Sequence, residues 1–137
     1  MTEDATTAKG LTLLIVDDSK MMRMMIKRVA GVIDVPITSI LEAGNSEEAL
    51  AILESTHVDA LFTDVNMPVM TGPELLREIQ HRGRWPNLLR IVISTDGSTV
   101  RREEATALGV HGYVEKPVRP EVLCDVFSQL TPRTHVA

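Results

Sequence analysis

The sequence predicts an α/β fold: a doubly wound, five-stranded parallel sheet in the order 2-1-3-4-5, flanked by helices on both faces. Three observations predict it. Short aliphatic runs alternate with amphipathic stretches five times along the chain, and strands joined by helical crossovers lie parallel with right-handed connections. The first, third and fourth runs are the most apolar, as central strands covered on both faces must be. The second and fifth are mixed, as edge strands are. Finally, acidic, hydroxyl and basic residues stand where the runs stop, at the carboxyl ends of the strands, and such sheets bind ligands there.

Each element has a local reason. Leu11 to Val16 is a nearly unbroken aliphatic run and reads as the first strand. Ser19 caps a helix from Lys20 to about Ile33, stopped by the Asp34-Val35-Pro36 break. Ile37 to Glu42 is the second strand; Asn45, with Glu48 three residues on, opens a helix through about Ser55. Val58 to Thr63 is the third strand. Thr71 and Glu74 bracket Gly72-Pro73 and start a helix ending at His81 or Arg82. Leu88 to Ile93 is the fourth strand, Ser98 starts the next helix, and Gly109 ends it in the position of a left-handed cap. His111 to Glu115 is the fifth strand. Arg119-Pro120-Glu121 opens a last helix that fades at Thr131-Pro132.

The expected organisation is a polar tail over 1–10, one domain over 11–131 and a short tail over 132–137. A length of 137 residues suits one such domain. With 44% apolar and 24% charged residues the chain has the balance of a soluble globular protein, and 3% aromatics leaves the core to aliphatic side chains. The net charge of −5 argues against a nucleic-acid partner, which needs a basic footprint. No apolar stretch approaches the roughly 20 residues of a membrane-spanning helix. Glu3 and Asp4 make the N-terminus unlike a signal peptide. The single Cys124 fits a reducing compartment, and a cytoplasmic location is expected.

At the strand ends stand Asp17-Asp18 after the first strand, Asp64 after the third, Ser94-Thr95 after the fourth and Lys116-Pro117 after the fifth. Two like charges about 4 Å apart repel by roughly 4 kcal/mol at an effective dielectric near 20. Three converging carboxylates therefore raise one another's pKa or recruit a cation. All-oxygen donors select a hard ion, and an ion shared with a phosphoryl group points to Mg²⁺. A carboxylate beside Mg²⁺ can act as a nucleophile toward phosphorus and form an acyl phosphate. Lys116 adds charge neutralisation, and the Ser94 hydroxyl can donate to a phosphoryl oxygen.

These residues resemble the receiver domain of bacterial response regulators, and most closely its stand-alone, chemotaxis-type members. The resemblance rests on LLIVDDSKMMRMMI, LFTDVNMPVMTG, IVIST and GYVEKPV, and it spans about Leu11 to Leu130. It implies that Asp64 is the phospho-acceptor, taking its phosphoryl group from a histidine kinase. It implies that Asp18, Asp64 and the Asn66 carbonyl hold Mg²⁺, with Asp17 assisting through water. Lys116 would contact the phosphoryl group, Ser94 would move toward it, and Tyr113 would follow by turning inward. The helix after the fourth strand, the fifth strand and the last helix would form the output surface for a downstream protein. Asn66, Thr95 and Asp96 occupy positions that tune the lifetime of the phosphorylated state in the family. Thr95 replaces a usually smaller residue and is expected to narrow access and slow hydrolysis.

Other features have structural readings. Among Met21, Met22, Met24 and Met25, those facing inward fill core gaps, and any facing outward form an adaptable surface. His57, His81, His111 and His135 have no ligand spacing. Cys124 reads as a packed thiol, and Trp85 as packing down locally beside Pro86.

The chain ends seven residues beyond Leu130, so no output domain is expected and the signal would be read by another protein. Within this class a phosphorelay shuttle and a receiver cut from a hybrid protein compete with a chemotaxis-type switch. A phosphatase with an aspartyl nucleophile is a different class. It usually places two acids two residues apart after the first strand, and here Asp17 is followed by Asp18 and Ser19. A phosphate-independent scaffold is a third class, at odds with a complete set of acceptor-site residues.

Overall fold

The computed structural model describes residues 10–33, 36–67 and 70–129. Strands β1 (Leu11–Val16), β2 (Ile37–Ala43), β3 (Ala60–Asp64), β4 (Leu89–Ser94) and β5 (Gly112–Glu115) alternate with helices α1 (Lys20–Val32), α2 (Ser46–Ser55), α3 (Gly72–Arg82), α4 (Thr99–Ala107) and α5 (Pro120–Gln129). The strands form one parallel sheet in the order β2-β1-β3-β4-β5, as the hydropathy pattern predicts. The expected tails, 1–10 and 132–137, fall outside the described residues except for Gly10, as do Asp34-Val35 and Thr131-Pro132.

Alternation along the central strands splits the core into two layers. One packs Leu13, Ile15, Phe62, Ile91 and Ile93 beneath α1 and α5. There the Phe62 and Phe127 rings meet at 5.0 Å. The other packs Leu14, Val16, Leu61 and Val92 beneath α2, α3 and Ala105 of α4. Central β3 is buried at every position, whereas edge β2 has one fully buried residue, Ala43.

The caps follow the sequence signals. The Ser19 hydroxyl accepts the Met22 N–H at 3.2 Å, and Thr71 with Glu74 forms a reciprocal capping box. Asn45 accepts the Glu48 N–H at 2.8 Å, but Glu48 reaches back to Gly44 rather than to Asn45. Gly109 follows the end of α4 with φ 82°, the left-handed conformation that a side chain disfavours.

Several strand boundaries differ from the sequence reading by a residue or two, and those of β3 and β4 matter to the site. β3 starts at Ala60 rather than Val58, because the Asp59 carboxylate accepts the Thr12 N–H at 2.8 Å and closes the strand's lower end. It also runs one residue further, so Asp64 is the last residue of the strand, paired with Ile93. Ser94 likewise is the last residue of β4, paired with Glu115.

The indole of Trp85 packs against the second core layer and donates to the Leu53 carbonyl at 3.2 Å. Cys124 is half-buried against the first. On α1 the core contacts come from Ile26, Val29, Ala30 and, in part, Met22. Met21, Met24 and Met25 face water, with Met21 78% exposed.

Candidate functional site: an acidic cluster at the carboxyl end of the sheet

The site is assembled by strand termination. The Asp17 N–H donates to the Ala43 carbonyl at 3.1 Å and carries the β1–β2 ladder one step past Val16. Its carboxylate then turns inward, with 2% exposure, while Asp18 faces solvent and Ser19 opens α1. Asp64 ends β3 at 5% exposure. The buried Thr63 hydroxyl donates to the Asp64 carbonyl at 3.0 Å. The returning chain passes so close that a Cβ at Gly72 would stand 2.2 Å from that same carbonyl oxygen. Only glycine fits there.

Carboxylate oxygens of Asp17, Asp18 and Asp64 lie within 4.8 Å of one another. The Lys116 N–H donates to the Ser94 carbonyl at 2.6 Å, and the Lys116–Pro117 peptide is cis. The ammonium then reaches Asp64 Oδ1 at 3.0 Å and stands 3.6 Å from Asp17 Oδ2. Burial pulls the lysine toward its neutral form. The hydrogen bond and charge of Asp64, with the charge of Asp17, outweigh burial and hold its pKa above the usual lysine range. Burial also pushes the Asp17 carboxyl up. The Ser19 N–H opposes that shift at 2.8 Å, and the charge of Asp64 adds to it.

One atom records the imbalance. Asp17 Oδ2 is buried and has no hydrogen-bond partner. A buried carboxylate oxygen with Lys116 at 3.6 Å but no hydrogen bond, facing two further carboxylates with one ammonium to offset all three, marks a site short of positive charge. The donors are all oxygen, which suits a hard divalent cation. The cluster could bind a metal ion, and its residues fit one.

Other predicted residues take separate places. Ser94 is 1% exposed, and its hydroxyl oxygen accepts the Asp96 N–H at 3.0 Å. Asn66 and Thr95 are exposed beside the ends of β3 and β4. The Asp96 carboxylate is turned away from the cluster toward α4, where it accepts the Ser98 N–H at 2.9 Å and pairs with Arg101 at 3.4 Å. Those contacts, the Ser98 N–H foremost, hold its pKa below the usual carboxylate range. Tyr113 is half-buried against the second core layer, its hydroxyl donates to the Asp96 carbonyl, and the Arg102 guanidinium lies 4.8 Å from its ring centre. A small void of about 30 Å³ remains near the ring, between α3 and α4. Tyr113, Glu115, Lys116 and Val122 also line a shallow depression across α4, β5 and α5.

Sequence reading missed Arg23 and Glu42. Arg23 donates to the Asp17 carbonyl at 2.6 Å and to Glu42 at 2.9 Å. One signal was available: α1 has basic residues and no acidic ones in its first turn, against the preference of a helix N-terminus.

The chain belongs to the response regulator receiver family, whose domain model matches residues 13–128. Members of this family are signalling switches. The chain is 35% identical over 125 residues to the chemotaxis protein CheY of Pseudomonas aeruginosa, covering 91% of this chain and 99% of that protein. It is 34% identical over 114 residues to the chemotaxis protein CheY1 of Helicobacter pylori strain 26695, covering 82% of this chain and 90% of that one. Its fold superposes on the chemotaxis response regulator CheY4 of Vibrio cholerae with a TM-score of 0.80 at 29% identity, over 89% of this chain and 99% of that one. No helix among the described residues is long and apolar enough to cross a membrane.

Proposed function

We propose that this receiver is switched by phosphorylation of Asp64 and that its phosphodonor is a phosphohistidine of a histidine kinase. The observation that carries the reading is the pairing of Lys116 with Asp64 at 3.0 Å inside a carboxylate cluster that holds an unpartnered buried oxygen. A carboxylate oxygen of Asp64 attacks phosphorus, the P–N bond breaks, and the imidazole leaves with a proton from solvent. Lys116 neutralises charge on the transferring group. Asp18, Asp64 and the Asn66 carbonyl hold Mg²⁺, and Asp17 supports it through water. When bound, that ion supplies the remaining charge neutralisation.

The output is a change of surface. Ser94 at the end of β4 and Tyr113 on β5 form the switch pair. The α4–β5–α5 face is the surface that a downstream protein reads, as the depression lined by Tyr113, Glu115, Lys116 and Val122 supports. The chemotaxis relatives favour a chemotaxis-type partner over a relay shuttle. The working unit is 11–131, its location is the cytoplasm, and it turns over only its own phosphoryl group. Asn66, Thr95 and Asp96 set how long that group lasts. Thr95→Ala speeds dephosphorylation, and an unchanged rate would discard the access argument.

The test is incubation with acetyl phosphate, with and without Mg²⁺, read by intact mass beside Asp64→Asn. A Mg²⁺-dependent gain of a single phosphoryl group, absent from the variant, is the expected outcome. No gain, where a control receiver is labelled, would leave a phosphate-independent scaffold.

A further inference from the structure

We infer that Arg23, held by Glu42, is a positioning residue for the acidic loop, fixing the peptide that carries Asp17 and Asp18 into the cluster. The inference rests on the reading of that cluster as a Mg²⁺-dependent phosphorylation site.

Arg23 closes the first turn of α1, with its side chain 17% exposed. It donates from Nη1 to the Asp17 main-chain carbonyl at 2.6 Å and from Nε to Glu42 Oε1 at 2.9 Å. Both bonds are charge-assisted, and the one to the Asp17 carbonyl is short. A guanidinium can span these acceptors because its donors are fixed in one plane; an ammonium is a point charge on a flexible stem. A cation near a helix N-terminus works against the helix dipole, so helix stability does not account for this residue.

The contact is also well placed. The Asp17 N–H is already committed to Ala43, and its Oδ1 to the Ser19 N–H. The Arg23 bond to the carbonyl fixes the third polar group of Asp17 and so the plane of the Asp17–Asp18 peptide. Orientation of both carboxylates toward Asp64 then follows from a β2 side chain, Glu42, through α1. Neither hydrogen bond of Arg23 goes to a carboxylate of the cluster, so changing it removes no ligand. Glu42 carries a second cation, Lys27, at 2.9 Å; among the described residues this lysine shares the anchor and makes no bond to Asp17.

Positioning and charge make opposite predictions. Removing a cation near an anionic cluster tightens Mg²⁺ binding, whereas releasing the loop weakens it. The experiment is calorimetric titration of the purified full chain with Mg²⁺ at fixed pH, with folding checked by circular dichroism. Arg23→Ala is expected to weaken binding about tenfold or more, the usual cost of losing a supporting contact behind a metal ligand. Arg23→Lys keeps the charge but not the fork, and is expected to weaken it by an intermediate factor. Lys27→Ala is expected to leave affinity unchanged or slightly tighter. A folded Arg23→Ala that binds Mg²⁺ as tightly as wild type, or more tightly, would overturn the inference. So would Lys27→Ala weakening binding as much as Arg23→Ala. Should Arg23→Ala not fold, an Arg23→Lys of wild-type affinity is the overturning result. Wild type that binds no Mg²⁺ would instead sink the reading of the cluster, and the inference with it.

Discussion

The two ends of this sheet are built from the same kinds of residue and reach opposite electrostatic outcomes. At the amino end, carboxylates are matched. Asp59 accepts from the Thr12 N–H and His57, and Glu54 takes both Arg82 and Arg84. At the carboxyl end three carboxylates share one ammonium, and a buried oxygen of Asp17 is left without a partner. The difference lies in where opposite charges were placed, and it teaches that three carboxylates sharing one ammonium form a donor set that could bind a cation.

The comparison can be sharpened by experiment, and the largest effect should come from the cation itself. Mg²⁺ at roughly 100 times its dissociation constant should add about 2.7 kcal/mol of stability, a rise near 10 °C in thermal midpoint for a domain of this size. A scan with and without Mg²⁺ checks it, and no shift would mean that the acidic end is not short of charge. Next, Lys116→Met leaves the carboxylates without their ammonium. It should cost about 2 kcal/mol in metal-free buffer, allowing for partial solvent access, by urea denaturation. Glu54→Gln at the matched end should barely move the midpoint.

Asp17→Asn should do the reverse and stabilise the metal-free protein by about 1 kcal/mol, because it removes a buried charge that one ammonium, shared with Asp64, only partly offsets. The pH dependence follows from the raised pKa of Asp17. The folded state holds this proton more tightly than the unfolded state, so ionised Asp17 opposes folding at neutral pH. Mild acidification toward its ordinary value of 3.8 relieves that opposition in wild type and not in the Asn variant.

The smallest effect belongs to the amino end. His111 Nδ1 accepts the Arg90 N–H at 3.0 Å, and burial, with the charge of Arg90, holds its pKa below the ordinary 6.5. The unfolded state therefore binds the proton first. Stability from this contact is full above pH 6.5 and declines as pH falls below it. His111 is largely exposed, so the loss is slight, and His111→Gln should flatten the slope between pH 7 and 5.5.

Much of this architecture was legible because buried parallel strands write themselves as aliphatic runs, and a polar residue interrupting a run marks its end. That is how Asp17, Asp64, Ser94 and Lys116 could be grouped before any coordinates. The one-residue errors at Asp64 and Ser94 have a common cause. Both are polar yet buried, so a rule that ends strands at polarity ends them early. Arg23 and Glu42 were missed because their meeting depends on how α1 lies over β2, which no local period encodes. The methionines of α1 show the same limit: hydropathy marks four as apolar, and packing turns three of them outward.

Trp85 is the only indole in the chain, and it is bonded to Leu53 at the amino end of the sheet, across the domain from the aspartates. Its emission is therefore a gauge of unfolding with little direct sensitivity to what occupies the acidic end. A spectral shift on adding a cation or a phosphodonor would have to be carried across the domain, which makes this one fluorophore a reporter of long-range communication.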